Sequence, residues 1–121
     1  VSHKTALAEA EPYITRDGSE IRELLHPDQH PVHHQSLAEA VVPTGTATLL
    51  HRHARSEEIY HVTRGHGRMT LGDEIFAIAP GDSIVIAPGT PHRVENNGDE
   101  ALHILCCCAP AYSHADTELL A

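Results

Sequence analysis

The sequence predicts an all-β fold with little helix, arranged as a sandwich or barrel. Short runs rich in Val, Ile, Leu and Thr recur from residue 46 to residue 109, and Gly, Pro, Asn or Asp ends each one. Many short strands at even spacing are the mark of a sandwich or barrel. No stretch carries apolar residues at helical spacing for long enough to build a helix, and no period of roughly 20–50 residues marks a repeat array.

Taken in order, Tyr13 to Leu25 reads as a turn leading into an edge strand. His26, His30, His33 and His34 then lie in a segment rich in Pro, Asp and Gln, a loop of solvated side chains. Gln35 to Pro43 is a second strand. Thr46 to Leu50, Glu58 to Thr63, Gly67 to Leu71, Glu74 to Ala79, Asp82 to Ala87, His92 to Asn96 and Ala101 to Ala109 follow as strands. Turn signals part them, among them Gly72-Asp73, Ala79-Pro80-Gly81 and Asn96-Asn97-Gly98-Asp99. The organisation expected is an N-terminal segment with an edge strand and a loop over residues 1–35, a barrel over 36–110 and a tail over 111–121.

Composition bounds the function. At 121 residues the chain suits one core, and with 40% hydrophobic but only 3% aromatic residues that core must be built from Val, Ile, Leu and Ala. No run of about 18 apolar residues exists, which argues against a membrane-spanning helix. The residues from Val1 to Glu9 show no apolar central region of a secretory signal, so a cytoplasmic protein is expected. The formal charge is −9, and the basic residues are scattered rather than gathered on one face, which disfavours nucleic acid as a partner.

The chemistry gathers in one spacing. Gly45, His51, His53, Glu58 and Gly65 are followed by Gly81, Pro88-Gly89, His92 and Asn96. Strand alternation puts His51 and His53 on one face, roughly 6–7 Å apart, with Arg52 on the other. Glu58 shares its face with Tyr60 and Val62, whereas Glu57 shares its face with Ile59 and His61. Spacing alone does not choose between the two carboxylates, although apolar company favours Glu58 facing inward. Neutral imidazoles with a carboxylate suit a first-row transition metal.

These residues resemble the two motifs of the cupin superfamily. The first reads Gly, five residues, His-x-His, three or four residues, Glu, six residues, Gly; the six-residue gap to Gly65 selects Glu58. The second reads Gly, five residues, Pro-x-Gly, two residues, His, three residues, Asn. Gly81, Gly89, His92 and Asn96 match it, while Ala87 stands where the family has its first Pro. The resemblance extends over about residues 36–110. It implies a small single-domain metal-binding cupin: an antiparallel jelly-roll barrel, or double-stranded β-helix, with His51, His53, Glu58 and His92 as metal ligands near one mouth. One divalent ion per chain is implied, and Fe, Mn, Ni, Co, Cu or Zn would each accept this ligand set.

The activity expected from the resemblance is that of a metal-dependent small-molecule enzyme, an oxidoreductase of dioxygenase-like type. An isomerase or lyase acting on a sugar or hydroxy-acid derivative is the alternative, and a small-ligand binding or sensing module without turnover is a third. Tyr60 and Cys106 are the candidates for groups acting beside the metal. In small cupins the leading strands often add to a partner's sheet, so a homodimer is expected.

Other residues invite plainer readings. Cys106, Cys107 and Cys108 lack the paired spacing of a zinc site, and adjacent cysteines bridge poorly. They read as reduced, buried small residues, with Cys106 and Cys108 on one face and Cys107 on the other. His61 should face away from the metal and His66 should be exposed, while His3 and His114 sit near the termini without a role. Arg22, Glu23, Gln35 and Glu39 read as solvated face residues rather than pocket groups. Tyr112 is expected to pack over a barrel rim.

Overall fold

The computed structural model describes residues 3–120. Its strands are β1 (Tyr13–Ile14), β2 (Glu20–Leu25), β3 (Ser36–Val42), β4 (His51–His53), β5 (Glu57–Arg64), β6 (Gly67–Leu71), β7 (Glu74–Ile78), β8 (Ser83–Ile86), β9 (His92–Glu95), β10 (Leu102–Ala109) and β11 (Thr117–Leu119). They form a six-stranded sheet in the order β1-β2-β3-β10-β5-β8 and a five-stranded sheet in the order β11-β4-β9-β6-β7. The ladders are antiparallel, and the helical content among the described residues is two short 3-10 turns. This is the all-β jelly roll that the strand runs and turns predict.

Alternation decides which side chains meet between the sheets. Along β5, Glu58, Tyr60 and Val62 are buried while Glu57 and Ile59 are exposed. Cross-strand pairing then lines up inward rows over the large sheet. Ile21, Ala40, Ile104 and Val62 make one; Glu23, Ala38, Cys106, Tyr60 and Ile84 make the next; Ser36, Cys108, Glu58 and Ile86 make a third. Toward β5 and β8 these rows join Val42, Met69, Ile78, Val94 and Leu102 in the main core. On β3 the inward residues are Ser36, Ala38 and Ala40, too small to reach the facing sheet. The cavity described below lies over them.

The turns explain two of the motif residues. Gly65 has φ +84°, and a Cβ there would sit 2.6 Å from the Ala101 carbonyl oxygen, so only glycine fits. Asn96 is buried, and its Nδ2 donates to the carbonyls of Val42 (2.8 Å) and Glu100 (2.9 Å) while Oδ1 accepts from Gly98 N (2.9 Å). It pins the connection from β9 to β10.

The structure corrects two expectations. Thr46 to Leu50 is not a strand; it makes one isolated bridge, Ala47 to Glu95, and the strand begins at His51. Its backbone groups go to separate partners, Thr48 N to Val94 O (2.9 Å) and Leu49 N to Asp17 O (2.7 Å), so no continuous ladder forms. The strand expected at the sheet edge, β2, lies inside this chain's own sheet between β1 and β3. Within the tail, β11 pairs with β4 and completes the small sheet.

Candidate metal centre

Strand β4 presents His51 and His53 on its inner face, and antiparallel pairing sets His92 of β9 opposite His51. The three rings are buried, and one nitrogen from each lies within 4.8 Å of the others. Glu58 reaches the same point from β5 in the facing sheet, with Oε1 3.2 Å from His53 Nε2 and 3.5 Å from His92 Nε2. The two donors of one ion, bound at ~2.1 Å each, can be at most ~4.2 Å apart. Both Glu58 distances satisfy that limit, while the donors that all lie within 4.8 Å of one another are those of the three histidines.

Hydrogen bonds on the far side of each ring orient it. His51 Nδ1 lies 2.8 Å from the Leu49 carbonyl and His92 Nδ1 lies 2.9 Å from the Thr90 carbonyl. A carbonyl only accepts, so each Nδ1 carries the proton and each Nε2 turns a lone pair inward. His53 Nδ1 is 3.0 Å from Thr117 Oγ1, whose single proton is given to the Ser113 carbonyl at 2.9 Å. That hydroxyl must therefore accept from His53 Nδ1–H, and the third Nε2 lone pair also points inward. Outer bonds of this kind are what hold metal-ligating imidazoles in place.

The electrostatics fit a cation. His92 Nε2 and Glu58 Oε1 are buried without a hydrogen-bond partner, which in a native interior calls for an explanation. Burial lowers the pKa of His51, reinforced by neighbouring His92 and opposed by Asp17, and so favours the neutral ring that a metal needs. For Glu58, burial pushes upward, but interaction with the adjacent His53 and His92 outweighs it and lowers the pKa to about 2. The residues present thus fit a transition-metal ion: three inward lone pairs beside an ionised carboxylate.

The cluster opens onto a partly enclosed cavity. Its walls come from the β1–β2 hairpin (Tyr13, Thr15, Asp17), from β2 and β3 (Ile21, Glu23, Ala38), and from the tail (Tyr112, Thr117). Tyr60 and Cys106 line it too, as alternation predicts. The Tyr60 ring lies 5.9 Å from that of His92. Burial, then the charge of Glu58, pushes both the Tyr60 hydroxyl and the Cys106 thiol well up, so both stay protonated. Cys107 faces the other way, with Sγ 3.7 Å from Gln35 Oε1.

Several cavity residues escape the sequence reading. Cys108 Sγ donates to Glu58 Oε2 at 3.2 Å and so orients the carboxylate. Glu23 is not a solvated face residue: its register opposite Ala38 puts it on an inward row, its Oε2 is buried without a partner, and burial raises its pKa. Glu39 is also buried, 3.4 Å from His103 Nδ1. His26 is half-buried rather than solvated, its Nε2 2.8 Å from the Tyr112 carbonyl. Tyr112 packs over the rim as expected, 5.7 Å from the His53 ring, with its hydroxyl between Thr15 Oγ1 and His114 Nδ1 at 2.9 Å each. His114 therefore has a place at the mouth. His61 turns outward to Ser83 (2.8 Å), His66 is exposed, and Arg22 pairs with Glu20 (3.1 Å).

A two-sheet antiparallel barrel with a buried three-histidine cluster at one mouth defines a small jelly-roll protein equipped to hold a metal. The chain belongs to the cupin family: the cupin domain profile matches residues 38–108. It is 56% identical over 117 residues to an uncharacterized protein of Methanocaldococcus jannaschii, covering 97% of this chain and 94% of that one. The fold is similar to that of Pac13, a nucleoside dehydratase, with a TM-score of 0.78 and 20% identity over 99% of this chain and 92% of the other. It is also similar to the oxalate decarboxylase of Lactobacillus farciminis, solved as a formate complex, with a TM-score of 0.80 and 25% identity. That match covers 93% of this chain and 34% of the other.

Proposed function

We propose that this chain is a metal-dependent enzyme of lyase or isomerase type, acting on a small oxygen-bearing molecule such as a sugar or hydroxy-acid derivative. His51, His53, His92 and Glu58 hold one divalent ion. The observation that carries the reading is the ring of three inward Nε2 lone pairs and Glu58 Oε1, opening directly onto a cavity walled by proton-bearing groups. A metal bound there supplies Lewis-acid polarisation of a substrate oxygen. The chain supplies the rest. Ile21 and Ala38 give an apolar wall, and the hydroxyls of Tyr13, Tyr60 and Tyr112 keep their protons at neutral pH, because burial raises all three. The similarly folded dehydratase and decarboxylase carry out chemistry of this class, which supports the reading.

A dioxygenase-like oxidoreductase would use the same donor set, since three imidazoles and a carboxylate can also ligate iron or manganese. Cys106, on the cavity wall, would then be exposed to oxidation. One experiment separates the readings. Chain loaded in turn with Fe(II), Mn(II) or Zn(II) is incubated with a panel of hydroxy acids, sugar derivatives, diketones and catechols, with dissolved oxygen and product mass recorded together. Metal-dependent product without oxygen uptake is expected. Stoichiometric oxygen consumption would establish the oxidoreductase, and saturable binding with no product under any metal would leave a binding module.

Two further expectations belong to this reading. The outer face of the large sheet carries an apolar row of Leu25, Leu37, Cys107, Ile59 and Val85, of which Ile59 and Val85 are 44% and 63% exposed. A second copy of the chain covers this row in a homodimer. The three cysteines are unpaired thiols, which suits a reducing cytoplasm, and no helix among the described residues is long and apolar enough to cross a membrane.

A further inference from the structure

Asp17 lies outside both motifs, in the hairpin turn between β1 and β2, yet it is buried and faces the cavity. Its Oδ2 is 3.6 Å from His51 Nε2, the nitrogen whose lone pair points inward. Its Oδ1 is held by the backbone N–H of Ser19 (2.9 Å) and by the Ser19 hydroxyl (2.6 Å). Its carbonyl accepts from Leu49 N at 2.7 Å, which ties the turn to the segment entering β4.

We propose that Asp17 is a second carboxylate of the metal centre and gives Oδ2 to the same ion. An ordinary Asp-Gly-Ser turn explains the bonds to Oδ1. It does not explain why the turn is buried, nor why the other oxygen faces an imidazole lone pair with no proton between them. Glu58 shows the same design from β5 of the same sheet: Cys108 holds Oε2, and Oε1 is aimed at His53 and His92. Each carboxylate is fixed through one oxygen and offers the other. The 3.6 Å separation from His51 lies within the ~4.2 Å reach of two donors to one ion, and it is on the His51 side that Asp17 meets the three-histidine group.

Two carboxylates and three neutral imidazoles balance the charge of a divalent ion. Carboxylate oxygen suits Mn(II) better than it suits Zn(II), for which imidazole is already a good ligand. Asp17 should therefore matter more for manganese than for zinc. This inference rests on the metal site proposed above, and the test keeps the two apart. Metal-stripped wild type, Asp17→Asn and the double variant His51→Ala/His92→Ala are titrated with Mn(II) and with Zn(II) against a competing chelator. Asn keeps the acceptor for Ser19 and removes the anionic oxygen. The expected result is a Mn(II) affinity reduced about tenfold or more in Asp17→Asn, with a smaller loss for Zn(II). Equal losses for both ions would reveal only a charge or folding effect and would overturn the proposal, as would affinities unchanged for both. Should Asp17→Asn fail to fold by circular dichroism, Ser19→Ala, which removes the shorter of the two bonds to Oδ1, is expected to weaken Mn(II) more than Zn(II). Absence of that bias overturns the proposal equally. If the double histidine variant binds both ions like wild type, it is the metal site itself that fails.

Discussion

The bond between His53 and Thr117 links the last strand of the chain to the metal centre, and its removal has a calculable effect. In Thr117→Val the side chain keeps its shape but loses the oxygen that accepts from His53 Nδ1–H at 3.0 Å. Two responses are open. If the proton stays on Nδ1, a buried donor is left unsatisfied at a cost of ~1–3 kcal/mol. If the ring changes tautomer, Nε2–H turns toward Glu58 Oε1 only 3.2 Å away. That satisfies the metal-free protein, but the proton must be expelled before an ion can bind. The metal-free protein takes the second course, so the cost falls on metal binding. Loss of such an outer partner weakens affinity about 10- to 100-fold, equivalent to ~1.4–2.7 kcal/mol, in agreement with the cost of the orphaned donor. The metal-free variant loses only the Thr117 to Ser113 bond, worth ~1 kcal/mol, or a Tm lower by about 4 °C. Competition titration of Zn(II) against a chelator, alongside thermal melts of the metal-free protein, measures both. Thr117→Ser should bind like wild type. A Thr117→Val affinity within about threefold of wild type would refute the reasoning.

Other outcomes follow from the same geometry. Gly65→Ala places a Cβ 2.6 Å from the Ala101 carbonyl at a backbone φ of +84°; urea unfolding should show a loss of ~3 kcal/mol, and a loss below ~0.5 kcal/mol would contradict the packing. Glu23→Gln should stabilise the fold at neutral pH by ~1 kcal/mol, because a buried oxygen without a partner no longer has to carry charge. The sign follows from the raised pKa of Glu23: its favourable contribution is complete below the unfolded value of ~4.3 and disappears as pH rises through the folded value. Wild type and variant should therefore converge in melts taken between about pH 3 and 4 and diverge above, and a constant difference would contradict the assignment. Val85→Asp, on the exposed apolar row, should shift sedimentation from dimer to monomer while leaving metal affinity unchanged.

What could be read from the sequence divides along one physical line. His51, His53 and His92 are legible because alternation along a strand is local, and because two motifs in order imply strands brought together, as β4 and β9 are side by side in one sheet. The inward turn of Glu58, with Glu57 exposed, follows from the same two-residue period, as does Cys106 facing the cavity while Cys107 does not. Thr46 to Leu50 misleads because β-prone composition does not ensure a neighbour; its backbone groups bond singly to Asp17 and Val94. Asp17, Glu23 and Thr117 are invisible for a different reason. Each reaches the site through sheet pairing between distant segments, as when Thr117 meets His53 across 64 residues. An Asp-Gly-Ser turn and a Glu in an amphipathic strand look solvated until the fold is assembled around them.

The claim on which everything rests is that His51, His53, His92 and Glu58 enclose a metal. Elemental analysis by plasma mass spectrometry, on chain purified from its native host and on the His51→Ala/His92→Ala variant prepared alongside it, tests that claim most directly. The account predicts about one divalent transition-metal ion per wild-type chain, as for a site built from one set of three imidazoles and one carboxylate, and essentially none in a variant that remains folded. Equal metal content in the two proteins would contradict it.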